Sequence, residues 1–378
     1  MPKYRFTEIA INSTEKKKPT EADKATYIGL EHLDSGTLTV SRWGSEVAPI
    51  GEKLLMKKGD VLFGKRRAYQ KKVGIAPFDG IFSAHGMVLR PREEVITKEY
   101  FPLFISSDYF LNEAIRISVG SLSPTVNWKD LKDLTFNIPT IEEQRRITPL
   151  VWAAIEAKNA YKTLISRTDD LVKSQFIEMF GVPESNSLGL PAYALETVCR
   201  RITDGSHNPP KGIDFSDYYM LSSKNIVDDT ITLDDPRFLS KEQWEIENKR
   251  TQIAAGDVLL TIVGTVGRSA VVPEKHQNIV LQRSVCVLKP RPEMLNSYFL
   301  NFELKCMQTH IDSLAQGAAQ RGIYLAQVGK LKVIVPEMSL QEEFVAMLKQ
   351  SDKSKFELQE AITRIDNFIK SLIQQDDN

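Results

Sequence analysis

Two stretches of this chain hold side chains suited to gripping a polyanion or reading polar edges. The first is basic: Lys57, Lys58, Lys65, Arg66, Arg67, Lys71 and Lys72 fall close together, with Tyr69 among them and Asp60 the one acid in the run. Lys and Arg neutralise phosphates, and Arg can also donate twin hydrogen bonds to a guanine edge. Ser121, Ser123 and Thr125, in the polar loop after Gly120, add hydroxyls. The second set is polar and glycine-rich. It comprises Asp204-Gly205-Ser206-His207 running on to Lys211, Gly264-Thr265-Val266-Gly267, Gln282-Arg283-Ser284, and Gln320-Arg321. Arg matches guanine and Gln matches adenine, while glycines let a backbone approach closely. Each feature also has a plainer use, since charge runs often coat solvated turns and glycines usually mark bends.

The enzymatic alternatives lack parts. Asn208-Pro209-Pro210-Lys211 is close to the Asn-Pro-Pro-aromatic motif with which adenine methyltransferases hold a flipped base, but Lys211 cannot stack as a ring does. No glycine-rich cofactor loop follows an early strand, so a stand-alone adenine DNA methyltransferase is the weaker reading. No Gly-Lys-Ser/Thr phosphate loop occurs. Of His32, His85, His207, His276 and His310, no two stand at helical metal spacing. Glu52-Lys53 and Glu274-Lys275 lack the preceding Pro-Asp pair that nucleases often use. The expectation is a non-catalytic chain that binds no metal or cofactor.

The elements that position these residues are written twice. Gly59-Asp60-Val61-Leu62 recurs as Gly256-Asp257-Val258-Leu259, Val88-Leu89-Arg90-Pro91 as Val287-Leu288-Lys289-Pro290, and Tyr100-Phe101 as Tyr298-Phe299. Gly120 matches Gly317, Leu134 matches Leu331, Ile138-Pro139 matches Val335-Pro336, and Gln144 matches Gln341. Matches kept in one order over such a span mean duplication. Each copy reads as a Gly-Asp turn, a strand (Val61–Phe63 or Val258–Val263) and further short strands. A helix follows (around Tyr100–Ala114 or Ser297–Leu314), then a last strand (Leu134–Ile138 or Leu331–Val335) ending at a proline.

A long helix follows each copy. Thr140 with Glu143, and Ser339 with Glu342, have capping-box spacing. Beyond them, Ile147, Val151, Ala154, Lys158, Tyr161, Ile165, Thr168, Val172 and Gln175 are spaced alternately four and three apart. Phe344, Leu348, Ser351, Lys355, Leu358, Ile362, Ile365, Ile369 and Leu372 keep the same register. This is the seam of a two-helix coiled coil. The expected architecture is a mixed α/β fold of two tandem globular units, 1–139 and 182–336. They are followed by helices 140–181 and 337–378, which pair antiparallel with pseudo-twofold symmetry. Such rods act as a ruler, and their length suits half-sites one DNA turn apart.

At 378 residues with 42% hydrophobic composition, the chain has material for two cores. No apolar run approaches the roughly 20 residues that span a bilayer. The amino terminus has no apolar signal region, and Cys199, Cys286 and Cys306 show neither disulfide nor metal spacing. A reducing cytoplasm is the expected location. Formal net charge is zero, so phosphate contacts must come from clustered cations or from partner subunits.

Asp204-Gly205-Ser206-His207, Gly256-Asp257-Val258-Leu259, Gly264-Thr265-Val266-Gly267, Gln282-Arg283-Ser284 and the Ile138-Pro139…Glu143-Gln144 boundary together resemble the specificity subunits of Type I restriction-modification systems. In the first copy, Gly64-Lys65-Arg66-Arg67 stands where the Gly-Thr-x-Gly segment would fall. The resemblance implies two target-recognition domains, each reading half of an asymmetric bipartite sequence in double-stranded DNA. It implies helices that set the spacer and dock two methyltransferase subunits, and restriction subunits that can join. S-adenosylmethionine, ATP and Mg are then implied for the partners, not for this chain. The remaining alternative is a coiled-coil scaffold without DNA, which would not need two differently decorated globular units.

Overall fold

The computed structural model describes residues 1–275, 278–315 and 321–373. The chain divides into two compact units, one made of Met1–Lys162 with Gln359–Asn378 and the other of Thr163–Leu358.

In the first unit, β1 (Lys3–Arg5), α1 (Phe6–Ile9) and β2 (Ala10–Ser13) open the chain, and β3 (Lys16–Lys17), β4 (Tyr27–Ile28) and β5 (Lys53–Met56) follow. Next come β6 (Val61–Phe63), β7 (Val73–Ile75), β8 (Gly80–Phe82) and β9 (Met87–Pro91). After α2 (Phe101–Ser106), α3 (Asp108–Arg116), α4 (Trp128–Leu131) and β10 (Thr135–Asn137), the long helix α5 (Ile141–Phe180) begins. The strands form an antiparallel sheet β2-β9-β6-β7, a second sheet β3-β5-β8-β4 in which β4 and β8 are parallel, and the pair β1-β10.

The second unit repeats this plan. Its elements are β11 (Ala192–Ala194), α6 (Leu195–Val198), β12 (Cys199–Asp204), β13 (Tyr219–Leu221) and the hairpin β14 (Ile226–Val227) with β15 (Thr230–Ile231). Then follow β16 (Arg237–Phe238), α7 (Lys241–Thr251), β17 (Val258–Thr261), β18 (Ser269–Val271), β19 (Ile279–Leu281) and β20 (Val285–Pro290). The unit closes with α8 (Ser297–Cys306), α9 (Gln308–Ser313), α10 (Leu325–Lys330), β21 (Lys332–Ile334) and the start of α11 (Met338–Ile373). The sheets are β12-β20-β17-β18, β16-β13-β19 with β13 and β19 parallel, and β11-β21.

The repeated residues explain the repeated strands. Gly59 and Gly256 hold φ of 90° and 84°, a left-handed bend that costs glycine little. The next residue caps its own turn: Asp60 Oδ2 accepts from Lys57 N at 2.8 Å, and Asp257 Oδ2 accepts from Ala254 N at 2.8 Å. Each carboxylate then meets the cation of the repeated Val-Leu-Arg/Lys-Pro strand. Arg90 donates two bonds to Asp60 (2.8 and 2.9 Å), and Lys289 donates to Asp257 and to the Gln252 carbonyl.

Gln144 and Gln341, both wholly buried, fasten the long helices to the units. Gln144 Oε1 accepts from Thr97 N (2.7 Å), while Nε2 donates to the carbonyls of Val95 (2.9 Å) and Pro139 (2.8 Å). Gln341 repeats this with Asn296 N (2.8 Å), Met294 O (3.0 Å) and Pro336 O (2.8 Å).

Aromatic rings form the centre of each core. In the first unit, Phe6, Phe63, Phe104, Phe110 and Phe136 pack together with Ile147 and Val151 of α5, and Ile369, Leu372 and Ile373 of α11 lie against them. In the second, Phe176 and Phe180 of α5 meet Phe299, Phe302 and Phe344 with ring centroids 5.0–6.2 Å apart. Burying one such ring contributes roughly 1.5–3 kcal/mol, so each unit binds a stretch of both long helices into its core. Lys158 reaches Asp366 at 2.5 Å and Lys355 reaches Asp169 at 2.8 Å. The first of these pairs joins α5 to α11 within the first unit, and the second does so within the second.

Three expectations need correction. The helix expected around Tyr100–Ala114 is broken at Ser107, whose extended backbone and hydroxyl cap α3 through Phe110 N. The helix expected around Ser297–Leu314 is broken at Met307, where backbone ψ turns to 5°. Ser339 lies inside α11, which already starts at Met338, so the cap expected there is absent. Thr140 Oγ1 does accept from Glu143 N, at 3.3 Å. Pro149 lies within α5, which runs on through it.

Candidate nucleic-acid interface

In each unit, two loops that follow strands and a third segment that lies between helices are laced together by backbone bonds. In the first unit these are 64–67 after β6, 83–86 after β8, and 119–126. Arg66 N donates to His85 O (3.2 Å), Arg67 N to Pro124 O (2.7 Å), and Val126 N to Lys65 O (3.0 Å). Val119 and Thr125 exchange bonds of 3.0 and 2.9 Å, folding Ser121 and Ser123 into a tight tip. Ser121 is exposed, as are Arg66, Arg67 and Tyr69. Arg67 Nε reaches Ser123 Oγ at 3.4 Å, and Thr125 Oγ1 donates to the Ser123 carbonyl. Arg67 and Lys71 adopt left-handed φ of 55° and 49°, strain of the kind that collects at functional loops.

Electrostatically this cluster is one-sided. Among the described residues, Lys65, Arg66 and Arg67 have no carboxylate partner. Burial, then the nearby Lys16, pushes the Lys65 ammonium down. Burial followed by Arg66, Lys65 and Lys53 pushes the His85 imidazole down. An open groove lined by Tyr27, Glu31, Arg66, Arg67, Lys72 and His85 runs beside the loops. Burial disfavours charge of either sign, but the neighbouring Lys16, Arg66, Lys65 and Lys53 add a positive potential, and that part favours an anion.

In the second unit the corresponding loops are 262–267 after β17, 282–284 after β19, and the segment entering at Arg321. Val263 N donates to Ser284 O (3.3 Å), Gly264 N to Arg321 O (3.1 Å), and Ile323 N to Ile262 O (2.9 Å). A fourth segment joins them: Ser206 N donates to Leu281 O (2.7 Å) and Arg283 N to Ser206 O (2.9 Å). His207, Thr265 and Arg283 are exposed there. Buried Asp204 accepts from His207 Nε2 at 2.6 Å and from Arg250.

Several expected contact residues also have structural surroundings of their own. Gly267 is buried at φ 87°, and a Cβ there would meet Gln308 Nε2 at 2.5 Å, so its freedom serves close packing with α9. Ser206 is buried and shapes the turn. Ser284 Oγ accepts from Ser223 N (3.1 Å), and Gln282 is half-buried with its own N–H on Leu221 O. Arg321 is tied to the Asp312 carbonyl and carboxylate. Lys211 is exposed on a loop that Arg237 pins through the Pro210 carbonyl at 2.6 Å. Gln320 lies outside the described residues.

Neither His85 nor Arg250 stands out in the sequence as a member of a cluster. For His85 a signal existed: the offset relating Val88-Leu89 to Val287-Leu288 also sets Ser83-Ala84-His85 against Gln282-Arg283-Ser284. Arg250 lies on α7, which has no counterpart in the first copy, so nothing in the repeat marks it.

Along the helices, Val151, Val172, Phe344 and Ile362 are buried, while Tyr161, Ile165, Leu348, Leu358, Ile365, Ile369 and Leu372 are partly buried. Among the described residues, no cluster of His, Cys, Asp and Glu could hold a metal ion, and no helix is long and apolar enough to cross a membrane. Cys199 and Cys306 are pushed up by burial to about 12 and about 11, and Cys286 higher still.

Residues 6–151 and 218–365 each match the model of the Type I restriction modification DNA specificity domain. The chain belongs to this family. Among curated relatives, the Type I restriction enzyme EcoBI specificity subunit of Escherichia coli is 27% identical over 155 residues, covering 39% of this chain and 32% of that protein. The EcoDI specificity subunit of Escherichia coli is 24% identical over 182 residues, 47% of this chain and 40% of that one. The matched parts thus span less than half the length of either relative. Among solved structures, a chain described under complex assembly and conformational transition of the type I R-M system aligns with TM-score 0.56 and 19% identity, over 99% of this chain and 96% of that one. The Type I restriction-modification S subunit from M. genitalium aligns with TM-score 0.56 and 13% identity, over 99% and 95%. These structures share the fold of this specificity-family chain.

Proposed function

We propose that this chain is the non-catalytic DNA-reading subunit of a Type I restriction-modification complex. Each loop cluster reads one half of an asymmetric two-part target. The observation that carries this reading is the recurrence of one backbone frame with different side chains on it. Around the loop after β6 stand Lys65, Arg66 and Arg67; around the loop after β17 stand Gly264 and Thr265. One frame with two decorations suits two different sequences.

The first cluster grips phosphate, because its cations lack acidic partners, and the second presents His207 and Arg283 toward base edges. Residues 1–139 and 182–336 act as the recognition domains. The helices, 40 and 36 residues long and so about 60 and 54 Å, fix the gap between half-sites. Their outward faces dock the partners: Leu164 and Leu171 are exposed and one heptad apart on α5. Two methyltransferase subunits using S-adenosylmethionine bind there, and restriction subunits using ATP and Mg join them in the cytoplasm.

The test is to map methyladenine genome-wide in cells holding the partner methyltransferase, with and without this chain. A two-part motif with a fixed gap should appear only with the chain present. Exchanging residues 1–139 for those of another family member should change one half of the motif. A change in both halves, or none, refutes the assignment. With the assembled complex, Arg66→Ala with Arg67→Ala should weaken all duplexes alike and reduce the salt slope by roughly 0.9 for each phosphate no longer neutralised.

A further inference from the structure

His207 is held in a way that a merely solvated histidine is not. Its side chain is 54% exposed, yet Nε2 sits 2.6 Å from Oδ2 of Asp204, whose own side chain is 8% exposed. Arg250 grips the same aspartate twice, with Nη2 on Oδ1 and with Nε on the Asp204 carbonyl at 2.9 Å. Arg250 is steadied in turn by Arg201, which donates to its carbonyl at 2.5 Å. Burial works against ionising Asp204, but the bonds from Arg250 and His207 outweigh it and hold the carboxyl below its ordinary value. An ionised carboxylate only accepts, so Nε2 carries the ring proton. In the neutral imidazole the other nitrogen, Nδ1, is then a lone-pair acceptor. Among the described residues it has no hydrogen-bond partner.

The backbone joins the loop of His207 to the loop of a donor. Ser206 accepts from Arg283 N, so His207 emerges beside exposed Arg283, whose guanidinium can only donate. In the major groove the amino groups of adenine N6 and cytosine N4 are the donors that an acceptor can read; guanine offers acceptors alone there.

We propose that His207 reads the exocyclic amino group of an adenine or cytosine through Nδ1, with Asp204 and Arg250 as its positioning residues. This rests on the DNA-reading role proposed above and adds a base chemistry to it.

The experiment uses the full chain assembled with its methyltransferase subunits. In the half-site read by the second unit, each adenine is replaced in turn by purine lacking the 6-amino group, and each cytosine by 2-pyrimidinone. At one position the wild-type complex should lose roughly 2- to 13-fold in affinity, the span of a single neutral hydrogen bond. His207→Ala should show almost no loss at that position and unchanged losses elsewhere, and His207→Asn, which retains an acceptor, should restore part of it. Which analogue gives the effect tells adenine from cytosine. Asp204→Asn should relax preference at the same position while leaving the salt slope unchanged.

Three results overturn the proposal. In one, His207→Ala weakens every duplex equally, unrelated sequences included, which marks a phosphate contact. In another, the analogue losses are identical with and without His207. In the third, His207→Ala changes nothing. If the wild-type complex shows no preference anywhere in that half-site, the DNA-reading role itself fails, and the base assignment falls with it.

Discussion

Removing the amide of Gln341 should unfasten the second unit from its helix at a cost that can be worked out bond by bond. In Gln341→Leu a side chain of similar size stays buried, but the Asn296 N–H and the Met294 and Pro336 carbonyls lose their partner. An unsatisfied buried polar group costs about 1–3 kcal/mol. Relaxation toward water will rescue part of this, so the expected destabilisation is about 3–5 kcal/mol in total. Gln144→Leu strips the same set from the first unit: Thr97 N, Val95 O and Pro139 O. Because the geometries match, the two losses should agree to within about 1 kcal/mol. Gln341→Glu separates hydrogen bonding from packing. Its carboxylate can still accept from Asn296 N but sets an oxygen against two carbonyls, so the variant should be least stable at neutral pH and recover on acidification. Urea denaturation of each variant at matched chain concentration gives the numbers. A loss below about 1 kcal/mol for either leucine variant, or recovery of Gln341→Glu at high rather than low pH, would refute the account of these residues as fasteners.

Other consequences are equally direct. Glu303 is wholly buried, with Oε1 accepting from Ile334 N at 2.6 Å and Oε2 unpartnered among the described residues, and burial raises its carboxyl well above the ordinary 4.5. The stability it permits is complete below 4.5 and is lost as pH climbs toward the raised folded value. Denaturation midpoints of wild type should therefore fall between acid and alkaline pH relative to Glu303→Gln, and parallel curves would exclude the effect. Lys289→Met leaves Asp257 charged in a buried site and should cost about 3–5 kcal/mol. Adding Asp257→Asn should recover much of that, and equal stability of the single and double variants in urea melts would contradict an ion pair there. Gly267→Ala, forced against Gln308 at φ 87°, should lower stability while leaving half-site preference in the methylation assay unchanged; a changed preference would return Gly267 to the reading surface.

What the sequence reveals is mostly framework, and the physical reason is burial. Gly59 and Gly256, Asp60 and Asp257, and Gln144 and Gln341 recur because each solves a backbone problem posed twice by the same fold. The heptad positions are visible for a similar reason, since a packed seam restricts residue type at fixed spacing. Local breaks are harder to read. Ser107 interrupts an otherwise apolar helical run because its hydroxyl can start a new helix, and the apolar period carries straight across it. The site was legible as segments but not as contacts. Residue type alone could not tell that Gly267 and Ser206 turn inward while Thr265 and His207 turn outward, nor that α7 delivers Arg250 to Asp204.

The two histidines show why one frame can hold two chemistries. His85 and His207 both belong to the loop clusters of their units. His85 faces Arg66, Lys65 and Lys53, which disfavour its charged form after burial has done so. His207 instead lies against a carboxylate that Arg250 already engages. In the first cluster the histidine takes on positive charge only at a cost, and on the function proposed above the phosphate contacts fall to Lys65, Arg66 and Arg67. In the second, on the reading proposed above, the bond to Asp204 engages Nε2 and leaves Nδ1 as the acceptor. The backbone bonds that lace the loops are the same in kind in both units, so the difference in what each can recognise lies in a few exposed side chains and the charges behind them. On the function proposed above, substituting those side chains alters recognition without disturbing the turn glycines, buried aspartates and buried glutamines that build the frame.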